Sequence, residues 1–418
     1  MPSRSDFQQT VNQQIQNLDP IQHLRNLNFP RRTGSDGDRK GTAYISQVLE
    51  QIGIEPVIQE FYFQKPKILP RLIIPLLLLL WTALSLVNLR FWNNNLVVSL
   101  VVLALPLTLI LMILNFDMVM RYFFGRRRRK LQEVSSKIEN KTLQKDQFIT
   151  SRNVIAEIGA EEAEKHVLFT AHHDSVSSKL PMRVMMICAI LGAVGLFAYS
   201  ILYLINLLAE TSLGLNFQFF ATFATVVLVL LEIFFISRLF RGNESHGIID
   251  DGTGVAILLE LARFVKVHEI HGGRFTFGFF GAEESGLIGS AHYYLKHDID
   301  KDKLHVISID MIGERPPLSY VTGIYPIRRR QMDPTFNTEI ASIAKRLEIE
   351  IKGKNFPYPG SDFGHFMLDG GCTTNWLSNG SRVIHSKRDN LSNVDETLVK
   401  DALKCLVAYL LELEKASG

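Results

Sequence analysis

Four stretches of this chain, Ile73–Leu89, Leu96–Asn115, Val184–Ala209 and Phe217–Ser237, are apolar and close to the roughly 20 residues that cross a bilayer core. A run such as LVVSLVVLALPLTLILMIL leaves no polar face for water. The stretches come in pairs joined by short polar turns, Asn88–Asn95 and Glu210–Asn216, so the chain is expected to form two transmembrane helical hairpins, 68–118 and 182–238. A hairpin returns the chain to the side it left. The three polar pieces between, 1–67, 119–181 and 239–418, are therefore read as one discontinuous domain.

Charge orients the arrangement. Lys65, Lys67, Arg71, Arg121, Arg126–Lys130, Lys179, Arg183, Arg238 and Arg241 all flank the spans on one side, against Arg90 in the short turns. Positive residues stay on the cytoplasmic side, which places the polar domain in the cytoplasm and the spans in the cell's inner (plasma) membrane. MPSRSDFQQT lacks the apolar region of a cleavable signal peptide. The run Arg126–Lys130 reads as a topology signal that also meets anionic lipid headgroups. A net charge of +3, with basic residues beside apolar segments rather than on an aromatic stripe, argues against a nucleic-acid partner.

The polar pieces alternate between strand and helix patterns. Pro56–Phe63, Asn153–Ile158, His166–Thr170, Arg274–Phe280 and His305–Ile309 read as strands; Gly41–Ile52, Val255–Val265 and Val399–Glu414 have helical spacing. This rhythm predicts an α/β fold with a mostly parallel central sheet flanked by helices.

Histidines and carboxylates collect where such a sheet places its ligand site, at strand ends and in glycine-rich turns. AHHDS puts His172 and Asp174 two apart on extended chain, pointing the same way, as suits a metal-ligating imidazole and a carboxylate that fixes its tautomer. GIIDDGTG offers Asp250 as a carboxylate able to bridge two cations and Asp251 as a helix cap. FFGAEESGLIGS sets Glu283 and Glu284 side by side after an apolar strand, where adjacent acids are costly unless a cation neutralises them. ISIDMIG and VIHSKRDN add Asp310 and His385. With three scattered cysteines, Cys188, Cys372 and Cys405, any metal falls to histidine and carboxylate ligands. The set suits paired zinc ions, with one glutamate left to take a proton from water.

These motifs, in this order, resemble the co-catalytic zinc aminopeptidases of peptidase family M28, and PRRTGSDGDRKGTAYISQVLEQIG resembles that family's opening segment. The resemblance implies two Zn2+ ions, a peptide substrate and an aminopeptidase reaction by metal-activated water. It makes Asp250 the bridging ligand, Glu284 and His385 the rest of one site, and His172 and Asp310 the rest of the other. Glu283 becomes the general base, and Asp174 orients His172. Two features depart from the family pattern. A whole apolar hairpin separates Asp174 from Asp250, and YPGSDFGHF carries Phe363 where the family usually has histidine. Tyr358 in that loop is a candidate for polarising the scissile carbonyl. His365, His173 and His246 are rival ligands, and IRRRQ at Ile327–Gln331 could clamp a substrate carboxylate. The rival functions are a one-zinc, glutaminyl-cyclase-like acyltransferase on the same fold, and a non-catalytic peptide-binding scaffold or transporter.

Overall fold

The computed structural model describes residues 3–65, 67–92, 95–140, 147–160, 162–208, 217–325, 330–369 and 373–417. Cys372, the whole turn Glu210–Asn216 and Ile327–Arg329 of the IRRRQ segment lie outside them. The chain forms two compact units: Met1–Lys65, Met120–Ser177 and Asn243–Gly418 make one, and Pro66–Val119 with Ser178–Gly242 the other.

The first unit is a mixed α/β fold. Its strands are β1 (Val57–Gln64), β2 (Phe148–Ile158), β3 (His166–His172), β4 (Arg274–Phe280), β5 (Leu304–Ile309), β6 (Leu318–Ile324), β7 (Arg330–Gln331), β8 (Ile351–Phe356) and β9 (Thr373–Leu377). They join in the order β1-β2-β4-β3-β5-β9-β6-β8, with β7 on β6. The centre, β4-β3-β5-β9, is parallel, and its aromatic and β-branched strands are buried on both faces because helices cover both. Outside it the pairing is largely antiparallel, at β1-β2, β2-β4, β9-β6 and β6-β7, so the sheet is mixed rather than mostly parallel. The rhythm of β4 and β5 does not extend to β1 and β2: some eighty residues, including a whole hairpin, separate these two, and no single crossover helix ties them in parallel.

Helices α1 (Arg4–Gln14), α2 (Pro20–Asn26) and α3 (Asp36–Gln51) open the chain, and α9 (Thr253–Val267), α10 (Ile288–Lys296), α11 (Pro334–Leu347), α12 (Gly364–Asp369) and α13 (Glu396–Ser417) close it. α9 is apolar nearly all round, and Val255–Leu259, Leu261, Ala262, Phe264 and Val265 vanish into the main core with Leu403, Leu406, Val407 and Leu410 of α13.

The second unit consists of four apolar helices, α4 (Ile68–Phe91), α5 (Leu96–Leu114), α7 (Met182–Leu208) and α8 (Phe217–Ser237), each long and apolar enough to cross a membrane. Leucines, isoleucines and valines are exposed along all four, while Leu78, Trp81, Leu196, Tyr199, Tyr203 and Phe220 form a buried cluster between helices, joined by small and polar residues. A Cβ on Gly192 or Gly195 would come within 2.7 Å of Leu231 or Val227, so these glycines let α7 and α8 approach closely. Asn88 donates to Ser99 Oγ (2.9 Å) and Tyr203 Oη (2.6 Å), Tyr199 donates to Ser85 Oγ (3.0 Å), and Trp81 donates to the Val102 carbonyl (2.8 Å). This network links α4 to α5 and α7, joining two hairpins into one bundle. Asn88→Leu, which breaks two of these bonds, is expected to destabilise the unit by on the order of 1 kcal/mol. Thermal unfolding in detergent, followed by tryptophan fluorescence, reads the effect; an unchanged midpoint would mean that the network adds nothing.

Following the first hairpin in the chain is α6 (Phe116–Glu139), a helix that the sequence pattern did not mark. From Met120 onward it belongs to the first unit. Phe124 lies 4.6 Å from the His365 ring, and Leu131 joins Phe61, Phe63, Ala282, Ile288 and Ala291 in a small apolar cluster. The basic run Arg126–Lys130, expected to meet lipid headgroups, is divided by this packing. Arg127 donates to the Gly286 carbonyl, and the Arg128 guanidinium sits 4.7 Å from the Tyr294 ring.

Candidate metal centre

Three adjacent parallel strands deliver the first residues to one edge of the sheet. β3 ends on His172, β4 is followed by the turn Gly281–Gly286, and Asp310 directly follows β5. His172 pairs with Phe280 in register, so the imidazole and the two glutamates leave the sheet side by side. Asp250 arrives from the opposite direction, just before α9. There Asp251 caps the helix, accepting from the Gly254 amide (3.0 Å) and from the His172 amide (3.2 Å). A side chain at position 254 would put its Cβ 2.4 Å from both Asp251 Oδ2 and the Ile309 carbonyl, so that turn requires glycine.

Ligand-type atoms converge in two groups that share Asp250: His172, Asp250 and Asp310 form one, and Asp250, Glu284 and His385 the other, each with its donor atoms within 4.8 Å of one another. His172 Nε2 lies 3.0 Å from Asp250 Oδ1 and 3.9 Å from Asp310 Oδ1. His385 Nε2 lies 2.9 Å from Glu284 Oε1 and 3.4 Å from Asp250 Oδ2. Glu283 belongs to neither group, yet its Oε2 is 4.0 Å from His172 Nε2.

The electrostatics fit a cation site. Burial, with Asp250 adding to it, pushes Asp310 up to about 7, and Asp310 Oδ1 has no hydrogen-bond partner among the described residues. Burial, reinforced by Glu284, Asp362 and Asp310, raises Glu283 well above the usual carboxylate range. His172 runs the other way: burial alone would depress it, but Glu283, Asp174, Asp250 and Asp310 more than offset that and hold it well above 6.5. His385 likewise reaches about 10, burial being outweighed by Glu284 and Asp250. So many acids against two imidazoles is a donor set suited to divalent cations.

Asp174 touches His172 and the turn beyond it. The His172 Nδ1–H donates to the backbone carbonyl of Asp174 (3.1 Å), and the Asp174 carboxylate stands 3.6 Å from the same nitrogen. That carboxylate also accepts from the amides of Glu283 (2.9 Å) and Glu284 (3.3 Å) and from Thr33 Oγ1 (2.7 Å). It holds the turn that carries both glutamates. Three segments of the centre also include a non-glycine residue in the left-handed region: Ala282 before Glu283, Met311 after Asp310, and His385 itself. Such strain, of about 1–3 kcal/mol each, persists where the surroundings fix a functional geometry.

The rival histidines are engaged elsewhere. His173 Nε2 donates to the Arg152 carbonyl (2.8 Å), His365 Nε2 to the Leu287 carbonyl (3.0 Å), and His246 Nδ1 lies 2.8 Å from Asn28 Oδ1. Phe363, in the place of a histidine, is buried 5.4 Å from the Trp376 ring. Tyr358 is 48% exposed, and its ring lies over Gly360 on the loop whose Ser361 bonds Ser308 Oγ (2.6 Å).

Two buried residues escaped the motif reading. Arg31 donates to the carbonyls of Leu27, Phe29, His173, His246 and Gly247, tying α2 to both sides of the centre. Burial lowers it to about 10, opposed by Asp389, Asp174, Asp251 and Asp250, so it stays a cation and balances the acids. Asp389 accepts from the Ile249 amide (2.7 Å), and burial together with Asp250 pushes it up to about 8. The PRRTG and SKRDN motifs contained both residues, but nothing in either marks which arginine or acid turns inward.

Residues 233–410 match the model of peptidase family M28. This part of the chain is similar to that family. The M28 match contains Asp250, Glu283, Glu284, Asp310 and His385, while His172 and Asp174 lie before it, across the second hairpin. Leupeptin-inactivating enzyme 1 of Streptomyces exfoliatus is 30% identical over 198 residues, covering 42% of this chain and 43% of that protein. A probable zinc metalloprotease of Pyrenophora tritici-repentis is 27% identical over 146 residues, 34% of this chain and 32% of the relative. The chain thus spans less than half the length of these relatives. In fold it is similar to the aminopeptidase of Aneurinibacillus sp. strain AM-1 (TM-score 0.51, 15% identity, 96% of this chain and 95% of that one). It is also similar to LapB from Legionella pneumophila (TM-score 0.51, 14% identity, 97% and 74%).

Proposed function

We propose that this chain is a membrane-bound, two-zinc aminopeptidase. The observation that carries the reading is the pair of ligand groups sharing Asp250, with Glu283 beside both and part of neither. His172, Asp250 and Asp310 would hold one ion, and Asp250, Glu284 and His385 the other. Bound there, the pair supplies Lewis acidity for the scissile carbonyl and makes water acidic enough to be deprotonated near neutral pH. Glu283 takes the proton of the attacking water and delivers it to the departing amine. Asp174 keeps that glutamate aimed through the two backbone amides it accepts from. Tyr358, half-exposed on the loop that carries Ser361, is the candidate for polarising the carbonyl. Two ligand groups favour two ions, and hence hydrolysis, over one-ion cyclisation of an N-terminal glutamine.

The four apolar helices support an integral protein, and the basic residues flanking them support a cytoplasmic peptidase domain in an inner membrane. Purified protein is expected to contain two zinc ions per chain and to cleave a fluorogenic aminoacyl amide, with activity lost to a chelator and restored by zinc. One zinc per chain with cyclisation of an N-terminal glutaminyl peptide would replace this reading, as would zinc without any turnover. A cysteine placed at Asn140 should react with an impermeant thiol reagent only after cells are opened; labelling of intact cells would reverse the orientation.

A further inference from the structure

The helix after the first hairpin, α6, brings a cation to the rim of the proposed active centre. Arg127 is half-buried, while Arg126 and Arg129 on either side of the basic pair are exposed. Its guanidinium lies flat against Gly286: a Cβ there, at φ +111°, would meet Arg127 Nη2 at 2.5 Å, so only glycine leaves room for the arginine. One Nη1–H goes to the Gly286 carbonyl. Gly286 is folded back on the base-bearing residue, its amide donating to the Glu283 carbonyl at 2.6 Å. The guanidinium is thereby held within one turn of Glu283, whose carboxylate is the charge it feels most. The helix is braced on both sides of this contact, by Phe124 against His365 and Gly364 and by Leu131 against Ala282.

Arginine carries five N–H donors, and this one spends few of them on the protein. Among the described residues no carboxylate forms an ion pair with it, although a half-buried guanidinium is stabilised by one. A planar fork with spare donors beside a hydrolytic centre matches one ligand geometry best, a carboxylate bound through both oxygens. One further peptide residue extends the chain by at most about 3.6 Å, so a leaving group one or two residues long carries its C-terminal carboxylate no more than about 7 Å beyond the scissile bond, into the neighbourhood of the Glu283 turn on which Arg127 sits.

We propose that Arg127 receives the C-terminal carboxylate of the substrate, which makes di- and tripeptides with a free carboxylate the preferred class. The proposal rests on the aminopeptidase reading above and adds a specificity determinant to it. It is tested with the full chain in detergent on two probes, the dipeptide Leu-Ala and its amide Leu-Ala-NH2. The ratio of kcat/KM, free acid over amide, is expected to be about 10 to 100 in the wild type, the worth of a hydrogen-bonded charge pair. It should fall to near one in Arg127→Ala, with zinc content retained. Arg127→Lys keeps the charge but not the fork, should retain part of the ratio, and covers the case in which the alanine variant does not fold. A wild type without preference for the free acid overturns the proposal, as does an Arg127→Ala protein that loses activity on both probes with the ratio unchanged, which would make the arginine only a brace for the turn. A zinc-loaded wild type that cleaves neither probe instead overturns the aminopeptidase reading itself.

Discussion

Glu283→Gln is expected to lower kcat by about 100- to 10,000-fold while the protein keeps its full complement of zinc. The amide is nearly the size of the carboxylate and preserves the turn, because Asp174 grips that turn through the backbone amides of Glu283 and Glu284 and not through the side chain that is changed. Only the capacity to accept a proton is removed. Metal analysis and steady-state kinetics on one preparation separate the two quantities. Near-normal turnover would move the role of base to another group, and concurrent loss of zinc would make Glu283 a ligand.

Asp250→Ala should behave in the opposite way and lose metal and turnover together. Asp250 is the residue common to both ligand groups, with Oδ1 facing His172 and Oδ2 facing His385, so its removal strips a donor from each. The stability that zinc confers should go with it. A ligand present at a hundred times its dissociation constant stabilises the folded state by about 2.7 kcal/mol, and this increment should be absent from melting curves of the variant recorded with and without zinc. A variant that still gains stability from zinc and still binds two ions would show that the carboxylate does not bridge.

The ligand candidates were legible because each follows an apolar strand or a glycine-rich turn, and hydrophobic patterning marks such places without reference to tertiary structure. His172, Asp250, Glu284, Asp310 and His385, drawn from separate motifs, do converge within a few ångströms. The four apolar helices were legible for the same reason, although α4 begins five residues before the stretch read as apolar, at Ile68. What depends on long-range packing was hidden. The antiparallel half of the sheet needs knowledge of where β1 and β2 meet after the long segment between them. Arg31 and Arg127 look like any surface arginine until the carbonyls that receive them are in place. The sequence placed the Asp174 carboxylate beside the imidazole two residues away, but not its second role on a turn more than a hundred residues downstream. The left-handed residues Ala282, Met311 and His385 are invisible to pattern reading because none is glycine.

The order in which the centre's parts lie along the chain has a consequence for biosynthesis. Arg31 comes from the first polar piece, His172 and Asp174 from the second, and every other ligand from the third, with both apolar hairpins interposed. Both apolar hairpins are therefore synthesised before His385, and until then the acids of the second group lack their imidazole. On the two-zinc reading, the site for the second ion is complete only when synthesis reaches His385, so a chain that stops short of it is expected to lack that ion.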